Sequence, residues 1–378
     1  MKTTRREFVC GLGYGAAALA LHGCAGAVQA RDGSDSAAMA GASQVRDLIG
    51  TERERILAAA ARAPSTHNSQ PWRVRVLAAD EWTIGADPTR RLPAVDPLDR
   101  ELALSLGAFI EYLVTGAAAL GFVAHLEELR GATLAGADLV RVRLSRGASG
   151  ARGAEQLDRI VRHRTLRKGY SSAPLSKDDV TALSEPLGDR ALWLPRGTKR
   201  SDWLADAAVQ SFQQQTWRDP AQQELARWVR FSDAEANEAM DGLTPDSMEV
   251  SGLAGFYMRH FMDAGTVSRR SFRDRGVDAV REQAREGGGW LVLGAQDEST
   301  GSLLDTGRAF ARMTLVLRER RLAAHPMSQV LEEDPWRIEV GRALGLGSLQ
   351  FLLRVGYVER YPEPVSLRRR VSAFASLA

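Results

Sequence analysis

The sequence predicts an α+β fold built from two related halves. Apolar and polar residues alternate near positions 72–77, 82–86 and 139–144, which is the pattern of half-buried strands. Two longer stretches, 101–120 and 302–322, place apolar residues at helical spacing and are predicted to be core helices. Because both helices carry an early glycine followed closely by a phenylalanine, the chain is predicted to contain an internal duplication.

The composition is that of a soluble globular protein. The chain has 378 residues, 44% of them hydrophobic, so it can bury a large core and is long enough for about two domains. Its 50 basic and 47 acidic residues are interspersed, whereas a nucleic-acid-binding protein gathers basic residues on one face. The 6 histidines are scattered without the spacing of metal ligands, so no metal site is predicted.

Residues 1–30 are predicted to be a twin-arginine (Tat) signal peptide. Arg5 and Arg6 precede an apolar stretch, 9–21, that is rich in Gly and Ala. This stretch is too short and too weakly apolar for a comfortable transmembrane span. The prediction makes the twin-arginine translocase a partner during export and places the mature protein in the periplasm or another extracytoplasmic space.

Two ways of processing this signal are open. Cleavage after Ala30, at a small-x-small sequence, would release a soluble protein and is favoured. The alternative is a membrane-anchored lipoprotein, because Cys24 follows a sequence that resembles a lipobox. Both cysteines of the chain, Cys10 and Cys24, lie in this N-terminal segment, so we expect neither a disulfide nor thiolate chemistry in the folded part.

The rest of the chain divides into a linker and two halves. Small and polar residues at 31–44 predict a flexible linker. The first half is predicted to span 45–150 and the second half 151–378. The second half contains an aromatic-rich insertion at about 201–289, which exceeds what a minimal half needs.

A polar loop follows the first predicted helix, 52–61, which Pro64 ends because a proline disfavours helical conformation in the residue before it. The loop has the sequence Ser-Thr-His-Asn-Ser-Gln at 65–70 and leads into the strand that begins at Trp72. Its many donors and acceptors could bind a planar ligand, although such loops are also common as simple turns.

The sequence Pro-Ser-Thr-His-Asn-Ser-Gln-Pro-Trp at 64–72 resembles the signature loop of the nitroreductase superfamily of FMN flavoproteins. In that family the loop touches the flavin, which implies flavin contacts for Ser65, Thr66 and Asn68. From about Glu52 to the C-terminus the chain resembles the Acg-type branch. That resemblance implies a fused dimer with one flavin site and makes the insertion either a lid over the flavin or extra packing.

The second half opens with a basic run at 157–170. Its spacing is similar to the Arg-x-Ser-x-Arg element that holds the FMN phosphate in nitroreductases, which implies this role for Arg164, Thr165 and Arg167. Guanidinium groups suit phosphate because they pair with two oxygens at once. His163 could take the place of Arg164 in this pattern, and a solvated basic helix end is the alternative interpretation.

The two halves are complementary. The first half has the signature loop and lacks the arginine-hydroxyl-arginine element, whereas the second half has that element and lacks the loop. Nitroreductases are typically homodimers with flavins at the interface. The resemblance therefore implies a pseudo-dimer with one surviving site, supported by Gly107 and Phe109 in one long helix and Gly307 and Phe310 in the other. Such a chain could function as a monomer.

Two further elements are implied by the resemblance. After the second long helix, Pro326, Ser328 and Gln329 match a turn that lies against the flavin ring. Near the C-terminus, Arg368 and Arg369 match a basic pair that completes the phosphate site, with Arg370 as a further candidate and a generic basic tail as the alternative. His325 precedes the turn, and we expect it to pack or to cap the helix.

Taken together, these features predict an exported FMN-binding oxidoreductase that transfers hydride or electrons through the flavin to a small-molecule acceptor. No side chain need act as the catalyst, because the cofactor performs the chemistry. Classical relatives use NAD(P)H, which is not expected outside the cytoplasm, so the donor stays open. The alternatives are a non-catalytic protein that binds or sequesters flavin under a lid, and a protein that binds no flavin.

Overall fold

The computed structural model describes residues 34–378 except 130–132, 135–137, 149 and 151. The predicted signal peptide and both cysteines lie outside the described residues. Helix α1, Ser34–Ala60, has a break at Gly50, where the backbone is not helical. It begins inside the segment 31–44 that is predicted as a flexible linker. The alanines of this segment favour helix and explain the difference.

The first half folds around one antiparallel sheet. After α1 come β1 (Trp72–Ala78), β2 (Glu81–Ala86), α2 (Arg100–Ala119), β3 (Phe122–Glu128) and β4 (Asp138–Arg146). The strands lie in the order β3-β4-β2-β1. Helix α2 is long and apolar enough to cross a membrane, but it is mostly buried, as expected for a core helix.

The second half repeats this arrangement. It contains α3 (Gly153–Arg162), α4 (Lys177–Ser184), β5 (Ala191–Pro195), β6 (Gly289–Gly294), α11 (Thr300–Leu317), β7 (Leu322–Pro326), α12 (Gln329–Glu332), α13 (Trp336–Leu344) and β8 (Leu349–Tyr357). Its strands lie in the order β7-β8-β6-β5, which matches the first sheet strand for strand. The predicted α+β class with two tandem halves is confirmed.

The insertion lies between β5 and β6 and is helical. It consists of α5 (Lys199–Trp217), α6 (Asp219–Trp228), α7 (Asp233–Ala239), α8 (Gly252–Phe261), α9 (Ala264–Val267) and α10 (Arg270–Gln283). In the first half the same position, between β1 and β2, is a tight hairpin. The insertion thus replaces one hairpin turn of the repeat.

Helices α2 and α11 pack against each other with near-twofold symmetry. A β-carbon on Gly107 would collide with the backbone carbonyl of Leu304, and one on Gly307 would collide with that of Leu104. Each glycine thus meets the leucine that lies three positions before the other glycine, so the two contacts are equivalent. An interface between two identical subunits has the same reciprocity. The two glycines that suggest duplication in the sequence are therefore the points of closest approach.

The C-terminal segment returns to the first half. Strand β9, Ala375–Leu377, pairs in parallel with β1 as a fifth strand. Phe374 is buried there and packs edge-on against Phe109, with ring centroids 5.9 Å apart. The last residues of the predicted second half, 151–378, therefore complete the sheet of the first half.

Four strands, β3, β6, β7 and β9, have no counterpart in the prediction from sequence. Residues 289–294 form β6, and 122–128 form β3. The helix predicted at 302–322 ends at Leu317, and the turn predicted after it begins with β7. Short apolar runs of this kind are ambiguous, because periodicity alone does not separate a strand from a helix end.

Candidate functional site

The signature loop has a strained backbone. Residues Thr66–Asn68 form a single 3₁₀ turn, and His67, Asn68 and Gln70 have φ values of 53°, 51° and 52°. Non-glycine residues rarely adopt this left-handed conformation, which costs on the order of 1 kcal/mol or more each. Inside the loop, Ser65 Oγ accepts a hydrogen bond of 3.0 Å from the Gln70 amide. Contacts from the rest of the protein must hold this geometry.

Asn68 connects the loop to two distant segments. Its Nδ2 donates to the carbonyls of Gly242 in the insertion and Leu367 near the C-terminus, both at 3.1 Å. Its Oδ1 accepts from Arg368 at 2.9 Å. Both amide hydrogens are used within the protein, so this predicted flavin ligand joins three parts of the chain.

Gln70 makes a second set of such contacts. Its Nε2 donates to the carbonyl of Met240 in the insertion at 2.9 Å, and its Oε1 accepts from the amide of Arg369 at 2.8 Å. The buried guanidinium of Arg369 donates to the carbonyls of Gln70 and Trp72. Arg369 thus fastens the C-terminal segment to the start of β1, whereas Arg370 is exposed.

Arg62 and Arg368 form a cluster of positive charge beside the loop. Arg368 donates to the carbonyl of Arg62 at 3.3 Å, and Arg62 donates to that of Val161 at 3.0 Å. Among the described residues neither guanidinium has a carboxylate partner, and Arg368 Nε has no hydrogen-bond partner. Burial and the Arg62 guanidinium lower the pKa of Arg368 to about 9. Because arginine stays protonated in proteins, this shift reflects a cost of burial that an anion would relieve.

His163 lies in the same positive field. Burial, Arg368 and Arg62 lower the pKa of its imidazole to about 3, so the ring is neutral near pH 7. Its Nδ1 has no hydrogen-bond partner among the described residues. A neutral imidazole with a free nitrogen could donate a hydrogen bond to an anion between the two arginines.

The predicted arginine-hydroxyl-arginine element contacts the insertion and the C-terminal segment. Arg164 donates to the carbonyl of Glu363 at 2.7 Å and lies 3.7 Å from the Glu249 carboxylate. Arg167 donates to the carbonyl of Ser247 in the insertion at 3.3 Å. Thr165, between the two arginines, is half-buried.

His325 holds Arg167 in place. Its Nε2 lies 3.2 Å from Arg167, and its Nδ1 lies 3.3 Å from the fully buried Arg354. Burial and the two arginines keep the pKa of His325 well below its ordinary value. The ring is therefore neutral and lies between two cations, in agreement with the expectation that it packs rather than donates protons.

The turn after β7 completes the site. Pro326 is the last residue of β7, and Ser328 is buried directly before Gln329, which begins α12. At the other end of α12, Glu332 hydrogen-bonds Glu101, whose carboxylate accepts from Thr66 at 2.6 Å. This chain of contacts connects the turn to the signature loop.

The structure thus brings the predicted groups together. The loop bonds Arg368, the charge of Arg167 acts on His67, and α12 reaches Thr66 through Glu101. An open cleft of about 1060 Å³ borders Arg164, between the start of the second half, the insertion and the C-terminal segment. No group of three or more potential metal ligands occurs among the described residues.

Four site residues are not identified from the sequence: Arg62, Glu101, Glu332 and Arg354. No local spacing marks them, because each contacts at least one partner that is distant along the chain. Arg62 directly precedes the signature loop, and its position there is the one signal that could have suggested it.

No family model matches the chain. Curated relatives do. The Mycobacterium tuberculosis protein named "Putative NAD(P)H nitroreductase Rv3131" is 27% identical over 333 residues, covering 84% of this chain and 89% of the relative. "Putative NAD(P)H nitroreductase acg" of the same species is 27% identical over 325 residues, covering 81% and 88%. "Probable NAD(P)H nitroreductase PigM" of a Serratia species is 25% identical, covering 78% and 85%.

Among solved structures, the FMN-dependent nitroreductase NfnB from Mycobacterium smegmatis in complex with NADPH is 14% identical, with a TM-score of 0.35. The match covers 56% of this chain and 94% of NfnB. A nitroreductase-like family protein from Bacillus cereus is 13% identical, with a TM-score of 0.31, over 57% of this chain and 91% of its own.

Proposed function

We propose that the protein is an FMN-dependent oxidoreductase of the nitroreductase type, with one cofactor site between two fused halves. The observation that carries the proposal is the pair of guanidiniums, Arg62 and Arg368, which lie beside the signature loop and have no carboxylate partner in the part of the chain that the structure describes. The names of the three relatives, which match most of this chain, support it.

The residues present fit a phosphate-bearing flavin. A phosphate would supply the negative charge that these two guanidiniums need as a partner. A guanidinium can donate two parallel hydrogen bonds to it. His163 Nδ1 and Arg368 Nε, for which the described residues offer no hydrogen-bond partner, are further candidate donors for such a group. Arg164, Thr165 and Arg167 would face it from the second half. When bound, FMN would supply the hydride or electron transfer.

The protein's own residues orient the ligand and limit access of water. Asn68 and Gln70 fix the loop by joining it to the insertion and the C-terminal segment. His325 and Arg354 fix Arg167. These side chains are occupied by contacts inside the protein, so their role is to position the groups that touch the ligand. The cleft beside Arg164 is our candidate entrance for a small-molecule acceptor.

We further propose that the protein is exported by the twin-arginine translocase after signal cleavage, with lipid attachment at Cys24 as the alternative. The paired arginines near the N-terminus support this. The names of the relatives suggest NAD(P)H as electron donor. An exported protein would need another donor, because NAD(P)H is a cytoplasmic metabolite. Activity of the protein with NAD(P)H and with a membrane-derived reductant distinguishes the two donors.

A second function is favoured by one observation. Residues of the insertion hydrogen-bond the loop directly, and the Gly242 amide also donates to the Asn68 carbonyl at 3.2 Å. An insertion that stays docked there could sequester a bound flavin without turnover. Reaction of the bound flavin with sulfite discriminates, since a sequestered ring would not react.

The proposal is tested by producing the chain from Arg31 onward and recording its visible spectrum. We expect a yellow protein that releases FMN on denaturation. Arg368→Gln should weaken FMN binding by about 2–4 kcal/mol, roughly 30- to 1000-fold in Kd, because it removes a buried charged partner of the phosphate. Arg370→Gln is the matched control, since that residue is exposed, and it should bind as the parent does. A protein that stays colourless after incubation with FMN refutes the proposal.

A further inference from the structure

Two carboxyl groups meet where the halves join, next to the signature loop. Glu101 is in the first turn of α2, and Glu332 is the last residue of α12. Their side chains hydrogen-bond each other. Two ionised carboxylates repel each other at such a distance, so a pair in contact retains one proton between them.

The surroundings of Glu101 favour its ionised form. Its Oε1 accepts from Arg100 at 2.6 Å, and its Oε2 accepts from Thr66 at 2.6 Å. Although burial opposes ionisation, the Arg100 charge and these hydrogen bonds together lower the pKa of Glu101 below its ordinary value. Glu101 is therefore the acceptor in the pair.

The surroundings of Glu332 favour its protonated form. Gln215 of the insertion donates to its Oε2 at 2.6 Å, and no guanidinium bonds it among the described residues. Burial and the Glu101 charge raise the pKa of Glu332 well above its ordinary value, although Arg100 acts in the opposite direction. Glu332 therefore holds the shared proton near neutral pH.

Other charged groups around the pair do not compete for this role. Burial and Glu101 raise the pKa of Asp96 to about 6, but its carboxylate accepts from the Leu102 amide and does not reach the loop. Burial lowers the pKa of His67 to about 4, so its ring is neutral. Glu333, the neighbour of Glu332, pairs with Arg218 and also accepts from Gln215.

We propose that Glu332 is the proton source of the site and delivers its proton through Glu101 and the Thr66 hydroxyl to the acceptor as it is reduced. The inference rests on the proposed function, because hydride transfer to a quinone-like or nitro acceptor leaves an anion that needs a proton. The hydrogen-bonded chain Glu332–Glu101–Thr66 is the path, and it crosses from the second half to the signature loop.

The transfer balances as three coupled steps. The O–H bond of Glu332 breaks as an O–H bond forms on Glu101. The Thr66 hydroxyl, which donates to Glu101 Oε2 in the structure, then rotates toward the anionic acceptor. Its own proton passes to the acceptor while Thr66 Oγ1 takes the proton that Glu101 now carries. Glu332 ends as a carboxylate and regains a proton from solvent, to which its side chain is partly exposed.

The first experiment reads the proton directly and needs no cofactor. At about pH 7.5, above the pKa of Asp96, infrared spectroscopy of the protein should show the C=O stretch of a protonated carboxyl. The band should be lost in Glu332→Gln. It should persist in Glu111→Gln, which is the matched control. Glu111 is a buried carboxylate farther along α2 that pairs with Arg308 and Arg312 of α11. A band that survives unchanged in Glu332→Gln overturns the proposal.

The second experiment uses the FMN-loaded protein, reduced with dithionite and mixed with a simple quinone. Glu332→Gln should slow reoxidation by about 100-fold, the usual size of general-acid effects, while FMN binding stays unchanged. The parent rate should fall as pH rises through the raised pKa of Glu332, and this fall should be absent in the variant. Thr66→Val should slow the reaction similarly, whereas Thr66→Ser should restore it.

The outcomes separate the two proposals. A protein that binds FMN, but whose Glu332→Gln variant keeps the parent rate and pH profile, overturns the proton path and leaves the oxidoreductase. A protein that binds no FMN removes the oxidoreductase, and the proton path with it.

Discussion

The two halves share one strand order but differ in what each adds to it. In the first half β1 and β2 are joined by a tight turn, whereas in the second half the equivalent strands are separated by residues 196–288. A hairpin turn enters and leaves the sheet at adjacent points, so long insertions there disturb the core little. The comparison shows where a duplicated fold can gain a new layer.

The halves differ just as clearly at the site. The first half supplies the strained loop and the second half supplies Arg164 and Arg167, so the two halves together contain one candidate site. At the α2–α11 contact, in contrast, the halves have stayed equivalent. Packing at the shared interface requires both copies of a glycine, whereas a ligand site needs each of its groups only once.

The largest expected effect tests whether the chain end belongs to the first half. Phe374→Ala removes a buried ring from the contact with Phe109 and should cost about 3–5 kcal/mol of unfolding free energy. Trp72 stacks on Phe109 at 4.9 Å, so tryptophan fluorescence during urea unfolding should report the loss. Phe256→Ala, at a side chain that is 55% exposed, is the control and should change stability by less than about 0.5 kcal/mol.

The next effect tests the equivalence of the halves. Gly107→Ala and Gly307→Ala should each destabilise the protein by about 2–3 kcal/mol, because each new methyl group meets a backbone carbonyl that cannot move alone. Equal losses of stability in thermal unfolding would confirm that the two contacts are equivalent, and unequal losses would contradict it. Gly276→Ala, whose β-carbon would lie 3.6 Å from Phe212, is the helical control and should be neutral or slightly stabilising.

The smallest effect tests the attachment of the insertion. Asp241 is buried and pairs with Arg90 at 2.7 Å and Arg230 at 2.6 Å. Asp241→Asn should weaken docking by about 1–2 kcal/mol, because both cations lose a charged partner. Amide hydrogen exchange should rise in 240–243 and in the signature loop while the α2–α11 contact stays protected. Uniform exchange across the whole chain would contradict the idea of a separately attached insertion.

The sequence predicts those parts of the fold that depend on local pattern. The alternation in β1 and the apolar spacing of α2 are visible because buried positions recur at the short, regular period of a strand or a helix. The return of β9 to the first sheet leaves no such trace, because three residues form one edge strand by pairing with a partner 300 positions away. The same holds at the site, where the loop is recognisable from its neighbours but Glu332 acquires a role only by meeting Glu101.

The return of the C-terminus has a consequence for how the protein is made. Arg368, Arg369 and β9 come after strands β1–β8 in chain order, so they are synthesised later than those strands. Until then the edge of β1 lacks its parallel partner, and the signature loop lacks the contacts that hold its backbone. The candidate site therefore forms only after the other strands of both sheets have been synthesised, whatever the order in which those strands fold.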